Sequence, residues 1–234
     1  MKSIILAAGK GTRMGNYTTN CPKSLVKLVN IPIIERQIAI LKSAGINDIT
    51  IITGYRRSDF NYLAVPQIYN PDFGTTNMVQ SLYCAKKLFS GANDLIISYS
   101  DIVYEKSVIK KLINSNENIS IIIDTGWYDL WKIRMENILA DAESLVLDRN
   151  QNIIKIGHKP KSLKEIEGQY IGLFKIPKSY SKSFFSIYEF MLKKNLNSEK
   201  LHNVKNTQMT KYLQLLIDNG AKLKATLIKN HWLE

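Results

Sequence analysis

An apolar run that breaks into glycines and cations opens the chain and limits what it can become. Ile4-Ile5-Leu6-Ala7-Ala8 is the right length for a buried parallel strand and too short to argue for a helix. Gly9, Gly11 and Gly15 follow, with Lys10, Thr12 and Arg13 between them. Glycines allow positive φ and let backbone N–H groups approach an anion closely, and the two cations suit a polyphosphate. Lys23, in the turn Pro22-Lys23, is a further cation able to fold back over the same phosphates. These residues read as a strand feeding a phosphate-cradling loop, with a tight turn at a sheet edge as the competing reading. The loop is not a P-loop, because it lacks Gly-Lys-Ser/Thr after four intervening residues, and its glycines are not spaced Gly-x-Gly-x-x-Gly.

Length and composition narrow the class. A chain of 234 residues makes one α/β domain or two small ones, and a hydrophobic fraction of 45% is enough for a real core. No apolar run reaches the length of a membrane span, and Met1-Lys2 leads directly into the strand, so neither a membrane segment nor a signal peptide is expected. Cys21 and Cys84 lie far apart without CxxC spacing and read as reduced thiols of a cytoplasmic protein. The formal charge of +12 reads as a lysine-rich surface, part of it serving anionic substrates. The sharper alternative, nucleic-acid binding, has no motif to support it, and the basic residues are spread along the chain.

Along the chain, the apolar spacing of Ile34, Ile38 and Leu41 predicts a helix from Ile33 to Ala44 that stops at Gly45. Ile49–Thr53 is a second buried strand, which makes the start a β–loop–α–β unit and a parallel sheet. Arg56–Leu63 reads as a short helix, Gln67–Asn70 as a strand and Met78–Phe89 as a helix preceded by a polar turn containing Thr76 and Asn77. Asp94–Asp101 reads as an apolar strand ending in Asp101, which suits either a Mg²⁺ ligand or the cap of a helix over Glu105–Ile113. Ile119–Asp124 is a further buried strand. Trp127, Tyr128, Asp129 and Trp131 form either a cage for a cationic head group or simple packing. Residues 136–148 read as a lid or short hairpin, 151–157 as a turn and strand, 179–194 as a helix, 195–205 as a mobile loop, 208–219 as a helix and 223–228 as a last strand. With neither internal repeat nor low-complexity linker, residues 1–234 read as one domain.

Leu6-Ala7-Ala8-Gly9-Lys10-Gly11-Thr12-Arg13-Met14 followed by Pro22-Lys23-Ser24-Leu25 resembles the signature of the sugar-1-phosphate nucleotidyltransferases and their relatives, the phosphocholine cytidylyltransferases. The resemblance implies a single-domain, Rossmann-like three-layer sandwich with a mostly parallel mixed sheet, of the nucleotide-diphospho-sugar transferase type. It implies nucleotide contacts from Leu6, Ala8, Gly9, Gly11, Thr12 and Arg13, catalytic roles for Lys23 and Arg13, and Mg²⁺ held by Asp101. Asn77 and Ser81 stand where cytidylyltransferase-like members carry an Asn and a Ser, which favours CTP. Lys159 of His158-Lys159-Pro160 matches a lysine that contacts the acceptor's phosphate, and Tyr170 lies in the strand that follows it. His158 replaces a Glu common in sugar-handling members, which favours a non-sugar acceptor whose head group would lie near Trp127 and Trp131. Glu234 matches the second metal carboxylate, unless that ligand is an Asp beyond a truncated end.

The implied activity is transfer of CMP from CTP to a small phosphorylated amine, amino acid or phosphonate, in a monomer or homodimer serving cell-surface polysaccharide decoration. The alternatives are a sugar-1-phosphate enzyme using UTP, dTTP or GTP, and a regulatory nucleotide-binding domain without turnover.

Overall fold

The computed structural model describes residues 1–11, 15, 18–115, 118–194 and 197–234. The opening apolar run is strand β1 (Lys2–Ala7), which sits inside a seven-stranded sheet. The other strands are β2 (Asp48–Thr53), β3 (Gln67–Tyr69), β4 (Leu95–Tyr99), β5 (Ile119–Asp124), β6 (Gln169–Ile176) and β7 (Leu223–Ile228), in the order β7-β5-β6-β4-β1-β2-β3. β1 runs parallel to both neighbours, pairing Ile5 with Ile51 on one side and with Ser98 on the other. β6 alone is antiparallel to its two neighbours. The sheet is therefore mixed and mostly parallel, as the family resemblance implies.

Alternation along the strands feeds two cores. Ile4 and Leu6 face one side with Ile97, Ile121 and Phe174, covered by α2 (Met78–Tyr83), α5 (Ser186–Lys194) and α7 (Met209–Asp218). Ile5 and Ala7 face the other side with Ile51, Ile96 and Ile122, covered by α1 (Ile33–Ser43), α3 (Lys106–Ile113) and α4 (Trp127–Arg134). A two-residue alternation through a sheet buried on both faces gives the three layers.

The connections place a crevice. From β1 the chain builds β2 and β3 on one side, then returns to lay β4 on the other, so the strand order reverses about β1. Ligand crevices form beyond the carboxyl ends of parallel strands at such a reversal. Because β6 is antiparallel, its amino end, Gln169 and Tyr170, arrives at that same edge.

Three local expectations are corrected. The helix expected over Met78–Phe89 ends at Tyr83, and a separate 3₁₀ turn, Lys86–Leu88, follows. The helix expected over 179–194 is broken into a turn at Lys178–Ser181 and α5. The loop expected over 195–205 contains α6 (Ser198–Lys205), in a polar sequence that hides a helix capped by Asn197, whose side chain accepts from Lys200 N at 2.9 Å, and anchored by buried Val204. Residues 136–148 hold a helical turn, Ile138–Asp141, and the first strand of a hairpin that pairs Leu145–Leu147 with Ile153–Ile156.

Candidate active site

The glycine loop leaves the carboxyl end of β1 and is pinned at both ends. Ala8 O accepts from Tyr55 N at 3.1 Å, and the buried Thr18 hydroxyl donates to Gly11 O at 2.8 Å. Gly11 has φ +71°, and a Cβ there would stand 2.7 Å from Lys23 Cβ. Only glycine lets the loop lie directly against the lysine. Lys23 itself is carried on a 3₁₀ turn closed by Leu25 N donating to Pro22 O at 2.9 Å.

Across from it, β4 ends at Tyr99 and the chain turns through Ser100 to Asp101. Lys23 Nζ lies 2.9 Å from Asp101 Oδ2 and 3.6 Å from Glu234 Oε1. These side chains are 21%, 22% and 28% exposed, so the group is half sheltered and still open to solvent and ligand. Leu6, Ala8, Gly9, Gly11, Lys23 and Asp101 line one cleft. Its far wall is the start of α2, where Asn77 caps the helix by accepting from Met78 N at 2.8 Å and Ser81 lies one turn on. Glycine backbone, an ammonium and the Asp101 carboxylate on one cleft, with the Glu234 carboxylate behind the ammonium, make a site for a polyanion and a cation together.

The same edge carries two phenols in contact. The Tyr99 ring lies on Gly172, where φ is +83° and a Cβ would stand 2.5 Å from Tyr99 Cδ2. Tyr170 meets Tyr99 edge to face with ring centroids 5.6 Å apart, and burial pushes both phenols far above their ordinary range. Both therefore stay neutral. Burial likewise raises the Glu143 carboxyl, which accepts from Thr210 Oγ1 at 3.2 Å.

A family model described as a MobA-like NTP transferase domain matches residues 3–130, more than half of the chain. The chain belongs to this nucleotidyltransferase family. It is 41% identical, over an alignment 243 positions long, to a CTP:phosphoglutamine cytidylyltransferase of Campylobacter jejuni, an alignment that spans 100% of this chain and 95% of the relative. It is 42% identical over 109 residues to a choline-phosphate cytidylyltransferase of Streptococcus pneumoniae, covering 45% of this chain and 47% of that one. Among solved structures, a CTP:phosphocholine cytidylyltransferase of S. pneumoniae superposes with a TM-score of 0.71 at 22% identity, covering 100% of this chain and 92% of that one. An inositol-1-phosphate CTP transferase of T. maritima superposes with a TM-score of 0.73 at 18% identity, covering 100% and 88%. These two likenesses share the nucleotidyltransferase fold.

In this nucleotidyltransferase the structure brings together Leu6, Ala8, Gly9, Gly11 and Lys23 with Asn77, Ser81 and Asp101 on the cleft, and Glu234 joins them through Lys23. Tyr170 adjoins through Tyr99. Thr12 and Arg13 lie outside the described residues. Lys159 points elsewhere, its Nζ donating to the carbonyls of Leu139 and Ala140 (2.6 Å to the latter) at the turn Ile138–Asp141. Trp127 and Trp131 form no exposed cage. Each is 5% exposed, packed edge to face at 5.9 Å on α4, because residues four apart on a helix share the face it turns to the sheet. Their neighbour in the core is Trp232, 6.3 Å from Trp131.

Three buried polar residues that support the site are not among the site residues expected from the sequence. Gln37 of α1 is fully buried, and its Nε2 donates to the carbonyls of Tyr99 at 2.8 Å and Ile102 at 2.5 Å, stapling the turn that carries Asp101. Asn70 is also fully buried. Its Nδ2 donates to Thr76 Oγ1 at 3.1 Å and Ser81 Oγ at 3.0 Å, and its Oδ1 accepts from Asp72 N at 3.0 Å, so it fixes the loop before α2. Asp124, at the carboxyl end of β5, holds the segment that ends at Glu234. The signal available for Asn70 was Asn-Pro turn chemistry, and for Asp124 the same strand-end carboxylate that drew attention to Asp101.

Proposed function

We propose that this nucleotidyltransferase transfers CMP from CTP to the phosphate of a small phosphorylated amino acid or amine, with phosphoglutamine as the first acceptor to test. The observation that carries the reading is the placement of Lys23 between Asp101 and Glu234 at the mouth of a cleft walled by the glycine loop. The similarity of the whole chain to a CTP:phosphoglutamine cytidylyltransferase supports CTP and the acceptor class. Similarities over about half the chain to choline-phosphate and, at 36% identity, 2-aminoethylphosphonate cytidylyltransferases support an amine-bearing acceptor.

In this reading the triphosphate lies along the backbone from Ala8 to Gly11, whose N–H groups meet its oxygens. An oxygen of the acceptor phosphate attacks the α-phosphorus. The bond from that phosphorus to the oxygen bridging to the β-phosphate breaks, and pyrophosphate leaves with the electron pair. The attacking group is already an anion, so no side chain needs to take its proton. The work of the protein is positioning and charge compensation. Lys23 neutralises the charge that grows on the α-phosphate oxygens and on the leaving oxygen.

Mg²⁺ fits the residues present. Asp101 and Glu234 offer only hard carboxylate oxygens, both partly exposed, which leaves room for waters and substrate phosphates. Among the described residues no group of three His, Cys, Asp or Glu is placed to hold a metal ion, so in this reading the substrate's phosphates complete the cation's ligands. When bound, such an ion screens the repulsion between two anions and polarises the reacting phosphate. Lys23 Nζ already lies close to both carboxylates, so their arrangement tolerates a cation between them.

A cytoplasmic enzyme of this kind makes a CMP-linked donor suited to surface-polysaccharide decoration. Among the described residues no helix is long and apolar enough to cross a membrane. The test is pyrophosphate release with Mg²⁺ across CTP, UTP, GTP and dTTP, crossed with phosphoglutamine, phosphocholine, 2-aminoethylphosphonate and glucose-1-phosphate. Release with CTP and one amine-bearing acceptor is expected. Release with glucose-1-phosphate and another nucleotide, and none with CTP, overturns the reading.

A further inference from the structure

Asp124 is fully buried, and its carboxylate meets three N–H donors at 2.8 Å. Oδ1 accepts from Gly126 N and Asn230 N, and Oδ2 accepts from Trp232 Nε1. No ion pair to Asp124 is present among the described residues, so these donors carry the whole compensation of a buried charge. Two of the three belong to the terminal strap that runs from the end of β7 to Glu234.

That strap has an unusual backbone. Asn230 and His231 are both left-handed, at φ +64° and +67°. Asn tolerates this region well, so the conformational cost, roughly 1–2 kcal/mol for an ordinary residue, falls mainly on His231. Asp124 grips the strap at Asn230 and Trp232, on either side of His231. At the turn, a Cβ on Gly126 would stand 2.4 Å from Asn230 Oδ1, so the two segments are in direct contact. Beyond the grip, Trp232 pairs with Tyr104 and is 5% exposed. Two residues later, Glu234 places Oε1 3.6 Å from Lys23 Nζ and Oε2 3.9 Å from Arg134 Nη1.

We propose that Asp124 is a positioning residue of the transfer reaction: its buried carboxylate sets the conformation of the 229–234 strap and thereby the place of Glu234 beside Lys23 and Asp101. This rests on the reading of Glu234 as a cation-holding carboxylate. Oδ2 on the indole N–H fixes the ring, and the ring fixes the direction in which the last two residues leave the core. An amide in its place keeps the size and one acceptor oxygen, but turns an NH₂ toward one of the two donor groups.

The experiment is a double-mutant cycle of Asp124→Asn with Glu234→Gln, read by pyrophosphate release and by Mn²⁺ affinity in the presence of CTP, followed by electron paramagnetic resonance without turnover. Asp124→Asn alone is expected to lower kcat and weaken Mn²⁺ binding by roughly tenfold each, the lower end for a residue that orients a metal ligand. On the Glu234→Gln background it is expected to add less than about twofold, because residues acting through one group are not additive. Trp232→Phe removes a single donor and is expected to show the same pattern more weakly, and it replaces Asp124→Asn should that variant not fold. Effects that multiply across the cycle, or unchanged Mn²⁺ affinity in both Asp124→Asn and Trp232→Phe, overturn the inference. A Glu234→Gln variant with wild-type turnover and Mn²⁺ affinity overturns the reading of Glu234 itself. Loss in Glu234→Gln with a multiplying Asp124→Asn leaves that reading standing and removes only Asp124's role.

Discussion

Lys23 reaches across the mouth of the cleft to Asp101, Nζ to Oδ2 at 2.9 Å, from a turn that the glycine loop packs against. The pair joins the loop after β1 to the turn after β4, the two segments at which the strand order reverses. Each side chain is only about one-fifth exposed, yet both line the cleft, so the charge each gives the other is also available to a ligand bound there. Lys23→Ala is expected to lower kcat by about 10²–10³, the cost of removing one preorganised donor from developing oxyanion charge. Its far-UV circular dichroism is expected to match wild type. Wild-type turnover in a folded Lys23→Ala protein would remove Lys23 from the chemistry.

Gly11 tests whether the loop's shape positions the lysine. Gly11→Ala forces a side chain onto a backbone at φ +71° and drives it into Lys23 Cβ, 2.7 Å away. The left-handed conformation alone costs about 1–2 kcal/mol, which lowers Tm by roughly 2–8 °C in a chain of this size. A drop in kcat/KM for CTP of at least about tenfold is expected beside it, as a misplaced catalytic group costs far more than its stability. Gly9 has no positive φ, and no atom lies within 4 Å of where a Cβ would stand, so Gly9→Ala is expected to leave Tm unchanged. Thermal melts of both variants, with CTP kinetics of Gly11→Ala, check the contrast.

The strands and their two-sided burial were legible because each is an apolar run bounded by turns, and the sheet's edge followed from the β–α–β order. Several residues that line the cleft were legible because they form short local motifs: the glycine loop, Pro22-Lys23 and the strand-end Asp101. Local sequence did not reveal residues that act through long-range hydrogen bonds. Gln37 on α1 serves a turn 62 positions away at Tyr99, and Asp124 serves a strap 106 positions away at Asn230. The aromatic cluster at Trp127 and Trp131 could be read as cage or core, and only the face that α4 turns to the sheet decided it. The helix at Ser198–Lys205 was hidden because a single buried residue, Val204, replaces the apolar stripe that identifies most helices.

The burial of Trp131 leads to a prediction about selectivity. Trp131→Leu removes the π-face while keeping the site apolar. A loss of a few kcal/mol of stability is expected, toward the lower end for truncating a buried aromatic. The ratio of kcat/KM for phosphoglutamine over phosphocholine is expected to stay within about twofold, because a methylene-scale change reaching the acceptor would already shift it tenfold. Chemical denaturation measures the first quantity and competition between the two acceptors the second. A collapse of discrimination without loss of stability would restore the cage.

Glu143 gives a pH prediction whose sign follows from its burial. The carboxyl is raised above 4.5, first by desolvation, and Thr210 Oγ1 opposes this only in part by donating to it at 3.2 Å. The folded chain therefore binds this proton more tightly than the unfolded chain. Its contribution to stability is fully present below the unfolded value and is lost as pH rises through the folded one. Glu143→Gln keeps an acceptor for Thr210 and has no charge to bury. Its Tm is expected to exceed that of wild type at pH 7.5, and the difference is expected to shrink as pH falls toward 4, where wild-type Glu143 is itself neutral. Melts of the two proteins in parallel from pH 4 to pH 8 cancel every group they share, leaving the one carboxyl. A constant difference across that range would mean that Glu143 titrates alike in both states and that its burial carries no charge penalty.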